Sequence, residues 1–80
     1  MRYRLTSKEY SEIVTLMFPH GTKIEICKYF GISRPTHDYR LKQGIRSEQD
    51  AMIFRETLGQ YVTELRGRAR KLDKFTTPNL

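Results

Sequence analysis

A chain of 80 residues makes one small domain whose core is marginal unless something adds stability. The single cysteine, Cys27, excludes an internal disulfide, and two histidines are too few for an obvious four-ligand zinc site, so we expect copies to associate. Fifteen Lys and Arg against nine Asp and Glu give a net charge of +6, which favours a polyanionic partner such as nucleic acid.

Two capping-box sequences predict the starts of a first and a second helix. A capping box, TSKE at residues 6–9, begins the first, and apolar residues then recur at helical spacing as far as Pro19. The same pattern, TKIE at residues 22–25, begins a short second helix. Gly31 ends that helix, because glycine adopts a left-handed backbone at little cost.

Two further helices complete the predicted chain. The third is capped by Ser33, carries Pro35 in its first turn and closes at Gly44. The fourth begins at Ser47 and carries apolar residues at intervals of three and four. That stripe consists of Ala51, Phe54, Leu58, Tyr61 or Val62, Leu65, Ala69 and Leu72. We therefore expect an all-α fold, in which a three-helix helix-turn-helix unit is followed by a long amphipathic C-terminal helix.

The predicted organisation has four parts. A basic N-terminal arm covers residues 1–5, the helix-turn-helix domain 6–45, the C-terminal helix 46–73 and a flexible tail 74–80. The arm is interpreted either as a solvated terminus or as a segment that enters a minor groove. The basic run RGRARK at residues 66–71 is interpreted as a solvated helix face or a phosphate contact.

Residues 23–36 carry the most informative pattern. A short helix ends in Phe30 and Gly31, Ile32 follows, and Ser33 caps the next helix, while the small Cys27 permits close packing. With FGISRPT at this turn and KQG at residues 42–44, the chain resembles the three-helix, homeodomain-like helix-turn-helix DNA-binding proteins of bacteria, phages and transposable elements. This resemblance implies that the helix after Ser33 enters the major groove of double-stranded DNA.

The third helix departs from the family at two positions. His37 and Arg40 stand where the family usually has apolar residues, so His37 and Leu41 are expected to form the inward pair, with Arg40 covering apolar surface by its stem. Base-reading candidates on the outward side are Arg34, Thr36, Asp38, Tyr39, Lys42 and Gln43. Candidates for DNA backbone contacts are Arg2, Arg4, Lys23, Lys28, Ser33 and Arg46.

The fourth helix is longer than a three-helix unit can cover, so its stripe predicts a homodimer that reads a palindromic operator. Candidate dimerisation residues are Phe54, Leu58, Tyr61, Val62, Leu65, Ala69 and Leu72. The predicted function is that of a small transcriptional regulator, a repressor or an activator, encoded by a phage or other mobile element. Two alternatives stay open: an anti-repressor that binds another regulatory protein, and a DNA-packaging adaptor of the phage small-terminase kind.

Other classes of function find little support in the sequence. It has no Gly-rich phosphate loop, metal-ligand spacing or nucleophile–base pattern, so we expect neither enzymatic activity nor a metal or other cofactor. It also has no run of about 18 apolar residues, so we expect no membrane partner. The lone cysteine is typical of a reducing cytoplasm.

Overall fold

The structure is a computed structural model, and it describes residues 3–76 of the chain. The described chain is all-α and contains four helices in the order α1 (Ser7–Met17), α2 (Lys23–Phe30), α3 (Arg34–Gln43) and α4 (Glu48–Thr76). Three short helices are therefore followed by one long one, as predicted. None of the described helices is both long and apolar enough to cross a bilayer.

All four helix starts lie where the sequence predicts them. The capping box of α1 is complete, because Thr6 Oγ1 accepts from the Glu9 N–H (3.1 Å) and Glu9 Oε1 accepts from the Thr6 N–H (3.0 Å). Thr22 Oγ1 likewise accepts from the Glu25 N–H at the start of α2. The second hydrogen bond of a capping box does not form here, because the Glu25 carboxylate lies near the Thr22 hydroxyl and not near the Thr22 N–H. Serines cap the other two helices, accepting from the N–H three residues later at 3.3 Å.

The core lies where α1, α2, α3 and the first half of α4 meet. Its buried members are Leu5, Tyr10, Val14, Ile26, Ile45, Ala51 and Phe54. Phe54 is only 2% exposed, and its ring stacks on Phe30 (4.8 Å between centroids) and contacts Tyr10 (5.5 Å). The prediction that Phe54 belongs to a dimerisation surface is therefore wrong, because the chain's own core already covers that side chain.

The segment before α1 is held against the start of α4. Leu5 and Ile45 exchange two backbone hydrogen bonds of 3.1 and 2.9 Å, forming an isolated antiparallel bridge. Glu48 accepts from the Tyr3 N–H (2.9 Å) and from Arg4 Nε (3.0 Å). The interpretation of the arm as a solvated, disordered terminus is therefore wrong for residues 3–5, which are tied to the fold, and Arg2 lies outside the described residues.

The far end of α4 extends beyond the core. Tyr61 ties it to the end of α1, since its hydroxyl donates to the Met17 carbonyl (3.2 Å). From Val62 to Phe75 every side chain is exposed. We call residues 66–76 the overhang, which adds about 16 Å of helix. The flexible tail predicted from residue 74 is wrong for 74–76, which are helical, and residues 77–80 lie outside the described range.

Candidate nucleic-acid interface

A tight turn joins α2 to α3. Gly31 ends α2 with φ +65° and ψ +37°, the left-handed conformation predicted for it. The Ile32 N–H donates to the Cys27 carbonyl (3.0 Å), and Ser33 then caps α3. Three residues therefore set the direction of α3 relative to α2, and Cys27, whose carbonyl accepts the hydrogen bond of the turn, is buried. This is the helix-turn-helix arrangement that the sequence predicts.

The inward side of α3 is anchored by a histidine, as predicted. His37 is 2% exposed, and its Nδ1 lies 2.7 Å from the hydroxyl of Tyr10, which is fully buried on α1. A histidine can occupy this otherwise apolar position because a buried partner satisfies its polar ring. The hydrogen bond fixes the rotation of α3 on α1, with Leu41 packed half-buried against the same core.

Burial keeps both partners of this hydrogen bond neutral. It lowers the pKa of His37; the negative charge of Asp38 opposes that shift, and Lys23 and Arg40 add to it. Burial raises the pKa of Tyr10 to about 12, with Arg40 opposing. At neutral pH the pair is therefore an uncharged hydrogen bond between α1 and α3.

The outward side of α3 is open to solvent. Of the predicted base-reading residues, the exposed ones are Arg34, Thr36, Tyr39, Lys42 and Gln43. The hydroxyl of Thr36 lies 2.9 Å from that of Ser33, so both hydroxyls already have partners within the chain. Ser33 Oγ also accepts from the Thr36 N–H as the helix cap, so this predicted phosphate-binding hydroxyl is engaged within the chain.

One candidate from each predicted set forms an ion pair at the edge of this face. Lys23 Nζ on α2 lies 3.0 Å from Asp38 Oδ1 on α3, with both side chains about half exposed. The hydrogen bond and charge of Lys23 lower the pKa of Asp38. The carboxylate of Asp38, a predicted base-reading group, therefore has a partner within the chain.

A basic cleft flanks the end of α3. It encloses about 390 Å³ between α1, the end of α3 and the loop that follows. Its polar lining includes Arg4, Thr6, Ser7, Lys42, Gln43 and Arg46. Arg46 also lines a second cleft, together with Thr36 and Tyr39. Arg46 therefore connects the basic cleft to the outward side of α3. Lys28 is exposed on α2 and lines neither cleft.

Sequence reasoning missed the role of Glu48. The Glu48 carboxylate pairs with Arg4, one of the residues predicted to contact phosphate. This pairing partly neutralises the charge of Arg4, although the Arg4 side chain stays 58% exposed. In the sequence, Glu48 is only an acidic residue in the first turn of a helix. Such a residue is already expected there because it interacts favourably with the helix dipole, so its position does not indicate a pairing with Arg4. Because the partners are 44 residues apart, no local pattern identifies the pair.

The described residues contain no group of three or more His, Cys, Asp or Glu side chains arranged to hold a metal ion. No protein-family model, curated protein or solved structure matches this chain. The resemblance to helix-turn-helix proteins therefore stays a prediction, and function is inferred from the geometry of α3 and the basic side chains beside it.

Proposed function

We propose that this protein binds double-stranded DNA by placing the outward side of α3 in the major groove, and that it acts there as a small transcriptional regulator. The observation that supports the proposal is the position of α3. Its inward side is held by the buried pair His37–Tyr10, while its outward side carries only exposed or half-exposed polar side chains and Pro35. A helix supported in this way can enter a groove without any rearrangement of the fold.

Two groups of side chains have different roles in this proposal. Arg34, in the exposed first turn of α3, can donate two hydrogen bonds to a guanine edge and so read sequence. Lys42 and Arg46 contact phosphates from the basic cleft, where they position α3 without reading bases. Because phosphate contacts release counterions, affinity should fall steeply as salt concentration rises.

The Arg34→Ala variant tests base reading. Duplexes are first selected from a random pool with the wild-type protein, and selected and random duplexes are then compared in binding titrations. We expect Arg34→Ala to lose about 10- to 100-fold of the preference for selected duplex, because one bidentate contact is removed. Lys71→Ala removes one exposed positive charge from the overhang instead and should keep that preference. An unchanged preference in Arg34→Ala contradicts the assignment of Arg34.

A charge-neutralising variant tests where the DNA lies. Asp38→Asn removes a negative charge beside α3 and frees Lys23, so we expect tighter binding to random duplex and a salt dependence steeper by about one ion. The control is Glu12→Gln, which makes the same charge change at an exposed position on α1. If both variants bind random duplex equally, DNA does not approach the Lys23–Asp38 pair.

Binding to random duplex at low salt also separates the classes of function. Salt-sensitive binding supports a regulator, and also the DNA-packaging adaptor, which a ring-sized assembly in solution would distinguish. If no duplex binds at low salt, the proposal fails and the anti-repressor becomes the better hypothesis.

A further inference from the structure

An apolar groove runs between the second half of α1 and the middle of α4. It encloses about 310 Å³, and almost all of its lining surface is apolar. The side chains that line it include Ile13, Leu16, Met17, Leu58, Val62 and Leu65. Leu16 is 74% exposed, and the stripe continues along the overhang to Leu72, which is 62% exposed. Within residues 3–76, therefore, no other part of the fold covers this apolar surface.

We propose that a second copy of this chain covers this surface, with the two α4 helices antiparallel across a two-fold axis near Leu65. Leu58 and Leu72 each lie seven residues from Leu65, on the same side of the helix. An antiparallel pair centred on Leu65 therefore places Leu72 of each overhang beside Leu58 in the groove of the other copy. Each copy contributes the same surface, as a closed two-fold dimer requires.

The distribution of charge along α4 selects the antiparallel direction. In a pair centred on Leu65, the overhang of one copy lies opposite residues 54–64 of the other, which carry two acidic side chains and one basic, whereas the overhang carries five basic and one acidic. Antiparallel pairing therefore brings each basic overhang alongside a weakly acidic segment of the other copy. Parallel pairing would place the two basic overhangs side by side, which costs free energy through repulsion between like charges.

The core of the chain limits how far the pairing extends. Ala51 and Phe54 belong to the same stripe but are buried within the chain, so the contact between copies starts at Leu58. Tyr61 is largely used by its own chain, since its hydroxyl donates to Met17 and its ring lies 5.8 Å from Tyr29. Leu16, which the stripe of α4 does not include, joins the surface from α1.

This pairing also sets the separation of the two α3 helices along the direction of α4, a consequence that rests on the proposed function. Arg40 of α3 shares a cleft with Asp50 and Ile53 of α4. Ile53 precedes Leu65 by twelve residues, which is about 18 Å of helix. The two copies of this point are therefore about 36 Å apart along α4, close to the one-turn spacing of half-sites on DNA.

Sedimentation equilibrium of the full chain tests the pairing. We expect the wild-type protein to have twice the chain mass and Leu65→Glu to have the chain mass, with unchanged helicity by circular dichroism. Gln60→Glu, which adds the same charge at an exposed position away from the stripe, should stay dimeric. If Leu65→Glu does not fold, Leu72→Glu makes the same test where its own chain leaves the side chain exposed. A monomeric wild-type protein, or a dimer that both folded variants keep, overturns the proposal.

Cross-linking tests the direction. In a Cys27→Ala background, a mixture of Leu58→Cys and Leu72→Cys chains should oxidise to the mixed disulfide between the two variants. If disulfides form mainly between two chains of the same variant, the helices are parallel and the antiparallel arrangement is overturned. A wild-type dimer that binds no DNA would contradict the proposed function and leave the pairing intact, whereas a monomer that binds DNA would do the opposite.

Discussion

Gly44→Ala should destabilise the fold by about 3 kcal/mol or more. Gly44 has φ +78° and ψ −163°, a backbone conformation that is open almost only to glycine. A Cβ there would also overlap the carbonyl oxygen of Leu5 and approach the carbonyl carbon of Thr6 to 2.7 Å. Since the Leu5 carbonyl accepts the hydrogen bond of the Ile45 N–H, relieving the overlap breaks the bridge that holds residues 3–5 to the fold.

Two other glycines are matched controls for this prediction. Gly31→Ala places a side chain at φ +65° in open space, so it should cost only the left-handed backbone, about 1–2 kcal/mol. Gly59→Ala, in open space on α4, should stabilise the protein by about 1 kcal/mol. Urea denaturation of the three variants measures the order directly. Equal losses in Gly44→Ala and Gly31→Ala would contradict the steric role of the Leu5 carbonyl.

The helices and their starting points could be predicted because their signals are local. Each cap is a hydrogen bond between residues three apart, as with Ser33 and Thr36, so four consecutive residues contain the whole interaction. The inward position of His37 was equally predictable, since the spacing of side chains on a helix defines its sides. The exposure of Arg34 and Lys42 follows from the same spacing.

Contacts between distant residues could not be predicted in this way. Periodicity placed His37 inward but did not identify Tyr10, 27 residues earlier, as its partner. The stripe of α4 is continuous in sequence, so it did not show that Phe54 is core and that Leu72 is exposed. The boundary between them depends on where α1 ends beside α4, which only the assembled fold determines.

The free energy of unfolding should decrease on both sides of neutral pH because of the pair His37–Tyr10. On the acid side, His37 has a lowered pKa in the folded protein, against its usual value of 6.5. Below about 6.5 the unfolded chain therefore binds more protons than the folded chain, and stability falls as the pH drops towards the folded value. The carboxyls of Glu9, Asp38 and Glu48 also have lowered pKa values, and the loss of stability that they cause begins at a lower pH than the loss from His37.

On the alkaline side the sign comes from Tyr10. Its folded pKa of about 12 lies above the usual value of 10, so from about pH 10 upward the folded chain retains a proton that the unfolded chain has lost. Stability therefore falls as the pH rises through this range. Denaturation midpoints measured across the whole pH range should show both losses.

Variants of the pair separate its two contributions. His37→Asn keeps a neutral polar group near the Tyr10 hydroxyl but cannot titrate, so its acid loss should begin only where the carboxyls act. Tyr10→Phe leaves the buried Nδ1 of His37 without its partner and should cost about 1–3 kcal/mol at neutral pH. It should also abolish the loss of stability that Tyr10 causes at alkaline pH.

The control is His20→Asn, on an exposed loop, which should keep the wild-type dependence of stability on pH. If stability in His37→Asn still begins to fall just below pH 6.5, a group other than His37 causes the loss, and the buried hydrogen bond does not set the acid limit of the fold.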